Sequence, residues 1–139
     1  MDVQVNYVAV VLAAAVSMFV GFVWYARPVF GNTWSKLVGL DEAKQKAGMG
    51  KAMTQAIIAA LLTAYILAHV TYLSNHFFGN SFMAAALSTA FWLWLGISAT
   101  TIVTHNAFEQ RPTKLTVLAV GSQLANFLAM ALVIGWLKP

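Results

Sequence analysis

The side chains of this chain able to do chemistry are few and scattered. Ser122, Gln123 and Asn126 fall within one helical face about 100° wide, and Asn126 stands near the middle of an uncharged run from Leu115 to Leu137. Ser98, Thr100 and Thr101 occupy a comparable depth in an earlier uncharged run. Ser98, Thr101, Ser122, Gln123 and Asn126 are thus the candidate polar pocket. Hydroxyls and amides inside a membrane have two uses. They act as glue between helices, commonly about 0.6 kcal/mol per hydrogen bond, or they line a narrow path for a neutral solute.

Other chemistry finds little support. His69 and His76 stand seven residues apart near one end of a long apolar segment, whereas His105 lies at the other end. A zinc site needs more ligands than two histidines, so no metal is expected. Trp92 is one turn from Gly96 and is expected to fill the space above it, and Trp94, on nearly the opposite side of the helix, is expected to face lipid. No Ser–His–Asp arrangement, phosphate-cradling glycine loop or paired carboxylate is present, so neither catalysis nor a cofactor is expected. The chain has no cysteine, which removes disulfides, thiolate chemistry and iron–sulfur ligation.

The elements that must position these residues follow from where charge is missing. Between Lys51 and Glu109 lie 57 residues without Asp, Glu, Lys or Arg, and the runs Val3–Ala26 and Leu115–Leu137 are also uncharged. A bilayer core of about 30 Å takes about 20 apolar residues per helix. The outer runs make one span each and the long run makes two. With 60% hydrophobic and 9% charged residues and a mean hydropathy of +0.75, the chain falls outside the soluble class. The expected fold is all-α, a single domain over residues 1–139: an integral membrane four-helix bundle with spans near 5–25, 52–73, 82–104 and 115–137.

The connections are legible too. Span one is expected to stop or kink at Arg27-Pro28. Asp41-Glu42 reads as the start of a short surface helix that ends near Gly48. Ser74–Ser81, with Asn75, Gly79 and Asn80, reads as a tight reversal, and Pro112 breaks the polar segment His105–Lys114. The first span is preceded by Asp2 and no basic residue, which is unlike a secretory signal and points to a retained helix.

Seven of the eight Lys and Arg residues lie in the connections after spans one and three, and only Lys138 lies on the other side. That asymmetry predicts both termini outside the cytoplasm and both charged connections inside. It also accounts for the net charge of +4 as a matter of orientation in a bilayer, so no nucleic-acid partner is expected.

Small residues recur every four positions in three spans: Ala9, Ala13, Ser17 and Gly21; Ala52, Ala56, Ala60, Ala64 and Ala68; Gly121, Ala125 and Ala129; span three has the weaker set Ala84, Ser88 and Gly96 around Trp92. Such stripes let helices approach closely, either within one bundle or between subunits. The expected partners are membrane lipids, a second copy of the chain in a homo-oligomer, or another protein.

Two segments carry a resemblance. Span one exits through Trp24-Tyr25-Ala26-Arg27-Pro28-Val29-Phe30-Gly31-Asn32-Thr33-Trp34, and the third connection reads Phe108-Glu109-Gln110-Arg111-Pro112-Thr113-Lys114-Leu115. With Gly39-Leu40-Asp41-Glu42 and four spans, they resemble a bacterial membrane family known as domain of unknown function 1761, over essentially the whole chain. In the family the proline commonly stands one place earlier. The resemblance implies a four-span membrane protein and brings no activity with it. Read from the residues alone, Trp24, Tyr25 and Trp34 suit the headgroup zone, Pro28 ends a helix, Gly31 permits a turn and Phe30 can fold back. Arg27, Arg111 and Lys114 serve as anchors or meet an anionic headgroup.

These features fit two functions: a non-enzymatic, self-associating or partner-binding bundle of the bacterial inner membrane, and a small oligomeric carrier or pore for a neutral solute or lipid.

Overall fold

The computed structural model describes residues 2–39 and 41–139, so Leu40 of the Gly39–Glu42 segment lies outside the described residues. Helix α1 is Tyr7–Trp24, a π-helical turn follows at Arg27–Gly31, and α2 is Asn32–Val38. Helix α3 is Glu42–Phe78, α4 is Phe82–Phe108 and α5 is Thr113–Leu137. Helices α1, α3, α4 and α5 are long and apolar enough to cross a membrane. No strand occurs among the described residues. The fold is an all-helical four-helix bundle, with both termini and the α3–α4 turn at one end and the basic connections at the other.

Local chemistry sets the helix ends. The Asn6 side chain accepts from the Ala9 N–H at 3.1 Å and caps α1. Its amide donates to the Leu137 carbonyl at 3.1 Å and the Lys138 carbonyl at 2.9 Å. One residue thereby satisfies the first turn of α1 and the last of α5, two places where a helix leaves backbone groups unpaired. Ser81 caps α4 in the same way, through the Ala84 N–H. Gly79 takes the left-handed conformation, φ 66°, and its N–H donates to the Asn75 carbonyl. The expected Ser74–Ser81 reversal is accordingly shorter: Ser74 and Asn75 stay helical, and the turn waits for the glycine able to make it.

Two connections depart from expectation. Asp41-Glu42 does begin a helix, but Gly48 does not end it, and α3 runs unbroken for 37 residues. Glycine costs a helix about 1 kcal/mol, which does not break a hydrogen-bond ladder continuous on both sides, and no proline lies between Pro28 and Pro112. At 1.5 Å per residue α3 is about 55 Å long, well beyond an apolar core of about 30 Å. Helix α1 ends at Trp24, ahead of Pro28, and Pro28 opens the next helical turn. Proline lacks an N–H, and the first turn is where that donor is not missed.

Helix α5 is central and packs against α1 and α4. Ala13, Ala64, Ala85, Ala86, Ala90 and Ala131 are fully buried, and Gly135 presses on Met83, whose Cα would lie 3.1 Å from an added Cβ. Helix α3 packs into the bundle core over Ala60–Thr71, where all five of its buried residues lie. From Glu42 to Ala59 none of its residues is buried, and only Gln45 is half-buried.

The small-residue stripes sort accordingly. Ala9, Ala13 and Ser17 of α1 and Ala60, Ala64 and Ala68 of α3 are buried inside the bundle, whereas Gly21 is half-buried and Ala52 and Ala56 are exposed. Gly121, Ala125 and Ala129 of α5 are half-buried. The stripe on α4 turns outward: Ala84, Ser88 and Gly96 are exposed, and Ala85, Ala86 and Ala90 face inward instead. That rotation also reverses the expected roles of the two tryptophans. Trp94 follows Ala90 by one turn, reaches inward, and donates from Nε1 to the Val120 carbonyl of α5 at 3.0 Å. Trp92, on the opposite side, is 65% exposed. Of these two, the inward tryptophan is the one whose N–H finds an acceptor, as buried indoles usually do.

Candidate functional site

The mid-span polar residues do not form one site. Ser122 is 2% exposed, and Gln123, Asn126 and Ser98 are half-buried. Asn126 Oδ1 is sealed from solvent and meets no protein donor. Thr101 is exposed, turned away from the others. Thr100 spends its hydroxyl on its own helix, donating to the Gly96 and Ile97 carbonyls at 2.9 and 3.1 Å. Both carbonyls lie in a π-helical stretch, Trp94–Ala99, that interrupts α4. A π-turn disturbs the regular i→i−4 ladder, and the threonine hydroxyl supplies a further donor there. The structure thus brings Ser122 and Asn126 into the bundle and separates Thr101 from them.

Two hollows lie elsewhere. One of about 10 Å³, close to what a single water needs, sits at the end with the termini among Asn6, Ala9, Ala68 and Ile134. The other is a broad surface recess beside His76, Phe77 and Phe78. His69 lies tilted against Tyr65 with centroids 5.9 Å apart, and His76 stacks on Tyr72 at 5.8 Å. Helix α3 does continue through Ser74 and Asn75, so the two histidines sit two turns apart on one helix. Among the described residues no three His, Asp or Glu side chains gather as metal ligands.

The exit of span one is the most closely built local structure. Phe30 folds back onto Trp24 with ring centroids 4.8 Å apart, and Trp34 meets Tyr25 edge-on at 5.6 Å. Pro28 lies in the first positions of the π-turn between them, and Gly31 closes it by donating from its N–H to the Ala26 carbonyl at 2.9 Å. Gly31 is buried against backbone: an added Cβ would overlap the Tyr25 carbonyl oxygen and stand 2.9 Å from the Ala26 carbonyl. On its other side the Trp24 ring lies over Gly121 of α5, where a Cβ would come within 3.3 Å of Cζ2. The aromatic segment joins α1 and α5 through a glycine at each contact. Trp24 Nε1 is enclosed there without an acceptor.

The cations at this end are partly committed. Arg27 pairs with Glu42 at 2.9 Å, and Arg111 with Glu109 at 2.9 Å. Both pairs are exposed, and such pairs are worth about 0–1 kcal/mol, too little to withhold either guanidinium from a phosphate. Lys114 is exposed. Asn106 donates to Thr116 at 3.0 Å and ties the end of α4 to the start of α5.

Sequence reasoning passed over three structural features. The Asn6 clasp carried a signal, a polar capping residue just before the first apolar run, but its reach to Leu137 did not. The π-stretch in α4 and the fully buried Thr71, whose Oγ1 lacks a partner, left no sign in the order of residues.

A family model described as "Protein of unknown function (DUF1761)" matches residues 8–135. No curated protein matches the chain, and no solved structure does. With nearly its whole length matched, the chain belongs to the DUF1761 family.

Proposed function

We propose that this DUF1761 member is a non-enzymatic, self-associating bundle of the bacterial inner membrane, and that its subunits meet through the outward face of α4. One observation carries this reading. The α1 stripe is spent inside the fold through Ala9, Ala13 and Ser17, and the α3 stripe is buried at Ala60, Ala64 and Ala68 but open at Ala52 and Ala56, whereas Ala84, Ser88 and Gly96 of α4 all face out. Nothing lies within 4 Å of where a Gly96 Cβ would be, and Trp92 projects beside it, 65% exposed. Close approach at small residues is a main source of affinity between helices in lipid. A protruding ring beside an open glycine is a self-complementary shape, suited to a two-fold contact. Another protein with a similar helix face is the second class of partner.

Ala60→Leu and Ala64→Leu would strike the subunit's own core. The variants that test assembly are Ser88→Leu and Gly96→Leu. Native mass spectrometry of protein extracted gently from its membranes should show an oligomer that these variants reduce to monomer, with helix content unchanged. An unaltered oligomer in both variants, or a parent protein that is monomeric, would remove the reading.

A second reading is a small carrier for a neutral solute or lipid, favoured by the enclosed, unpaired Asn126 Oδ1 beside Ser122. Flux into proteoliposomes that falls in Asn126→Leu supports it, and flux indifferent to that change counts against it. In either case the seven-to-one distribution of Lys and Arg supports both termini outside the cytoplasm. Reporter fusions to the C-terminus, one active only inside the cell and one only outside, decide the orientation.

A further inference from the structure

Helix α3 has an uncovered half that changes character in a definite order. Lys46, Met53, Ala60 and Leu67 recur every seven residues and share one helical face. Leu67 is 0% and Ala60 8% exposed, held against α1 and α4. One step toward the N-terminus, the same face is apolar and open: Met49, Met53 and Ile57 are 44–47% exposed, and Ala56 beside them is exposed as well. A further step brings Lys46, also exposed. No residue from Glu42 to Ala59 is buried.

We propose that this half of α3 binds an anionic phospholipid, its acyl chains along Met49, Met53, Ala56 and Ile57 and its phosphate at Lys46. The order of the face, apolar and then cationic toward the end of the bundle, is the order of a lipid in the adjacent leaflet. Charge selects the kind of lipid. Glu42, the carboxylate within this segment, is already paired with Arg27. Lys44, Lys46 and Lys51 make no ion pair among the described residues. Juxtamembrane lysines of this kind attract anionic lipid. Methionine suits the apolar part, because its unbranched, flexible side chain adapts to the irregular surface of an acyl chain.

Charge also argues against a second copy of the chain here. Subunits related by an axis along the membrane normal would run their α3 helices parallel. Lys46, which shares the face with Met53, would then stand beside its own counterpart, a repulsive arrangement. This site is separate from the α4 face, and either stands without the other.

The test uses the full-length protein in detergent, titrated with phosphatidylglycerol or with phosphatidylcholine of the same acyl chains, and read by native mass spectrometry. The expected result is preferential retention of phosphatidylglycerol. Lys46→Gln should weaken that binding about fivefold and leave phosphatidylcholine unaffected, and Lys46→Arg should restore it. Lys46 is exposed on a helix surface, so these variants keep their helix content. Equal binding of the two lipids would overturn the proposal and leave ordinary annular lipid. So would a preference that survives Lys46→Gln but disappears in Lys114→Gln, which moves the headgroup to the α4–α5 connection. A dimer that forms in place of the lipid complex, and is lost in Met53→Lys, would assign the face to a second copy.

Discussion

Replacing Gly31 by alanine should disable the turn that follows span one. The new methyl would overlap the Tyr25 carbonyl oxygen and stand 2.9 Å from both the carbon and the oxygen of the Ala26 carbonyl. All three are backbone atoms, so no flexible side chain can yield. The π-turn must move, and the Gly31 N–H to Ala26 carbonyl bond of 2.9 Å is the first contact to lengthen. Phe30 adjoins Gly31, so its packing on Trp24 at 4.8 Å weakens as well. Overpacking costs about 1–3 kcal/mol, a hydrogen bond about 0.5–1.5 kcal/mol and an aromatic pair about 0.5–1.5 kcal/mol. Because these losses share one displacement they are not additive, and the net expectation is about 2–4 kcal/mol. Unfolding of the purified protein in mixed micelles, followed by tryptophan fluorescence, measures it, since Trp24 and Trp34 flank the turn. Gly21→Ala is the control: nothing lies within 4 Å of its added Cβ, so it should be neutral or stabilise by up to about 1 kcal/mol. A Gly31→Ala protein as stable as the parent, with unchanged emission, would refute the reasoning.

Three further outcomes follow from the same geometry. Asn6→Ala removes the α1 cap and both bonds to the end of α5. It should cost about 1–3 kcal/mol and speed amide exchange at Lys138, while Asn6→Asp, which keeps the cap but cannot donate, should fall between. Gly48→Ala and Gly50→Ala fill open space in a continuous helix and should each stabilise by about 0.5–1 kcal/mol, with slower amide exchange over residues 46–54. A break in α3 at these glycines would give no such gain. Trp94→Phe forfeits the bond to Val120 and should cost about 0.6–1.7 kcal/mol, whereas Trp92→Phe on the lipid side should stay within about 0.5 kcal/mol. Equal effects in a thermal melt would mean that α4 is rotated differently.

The four helices were legible in the sequence because a bilayer asks one coarse thing of a span, about 20 residues without charge, and each uncharged run answers it. The candidate polar pocket was legible only in part. Periodicity put Ser122, Gln123 and Asn126 on one face of α5, but Ser98 and Thr101 had to be oriented on α4, and spacing within one helix says nothing of its rotation against another. Thr101 turned outward for that reason.

What the sequence determined alone is the set of local and solvent-driven features: the spans, a reversal within Ser74–Ser81, and the helix start at Asp41-Glu42. Each depends on residues within a turn of one another or on transfer of one segment into lipid. The tertiary structure alone decided which stripe packs inward, which tryptophan is buried, how far α3 runs free of the bundle, and that Gly31 and Gly121 hold Trp24 and Phe30 in place. Those outcomes depend on the relative rotation and height of helices distant in sequence. Many apolar faces are almost equally acceptable to lipid, so hydrophobicity cannot choose among them. The choice falls to backbone contact at small residues and to the few hydrogen bonds, such as Trp94 to Val120, that form in only one register.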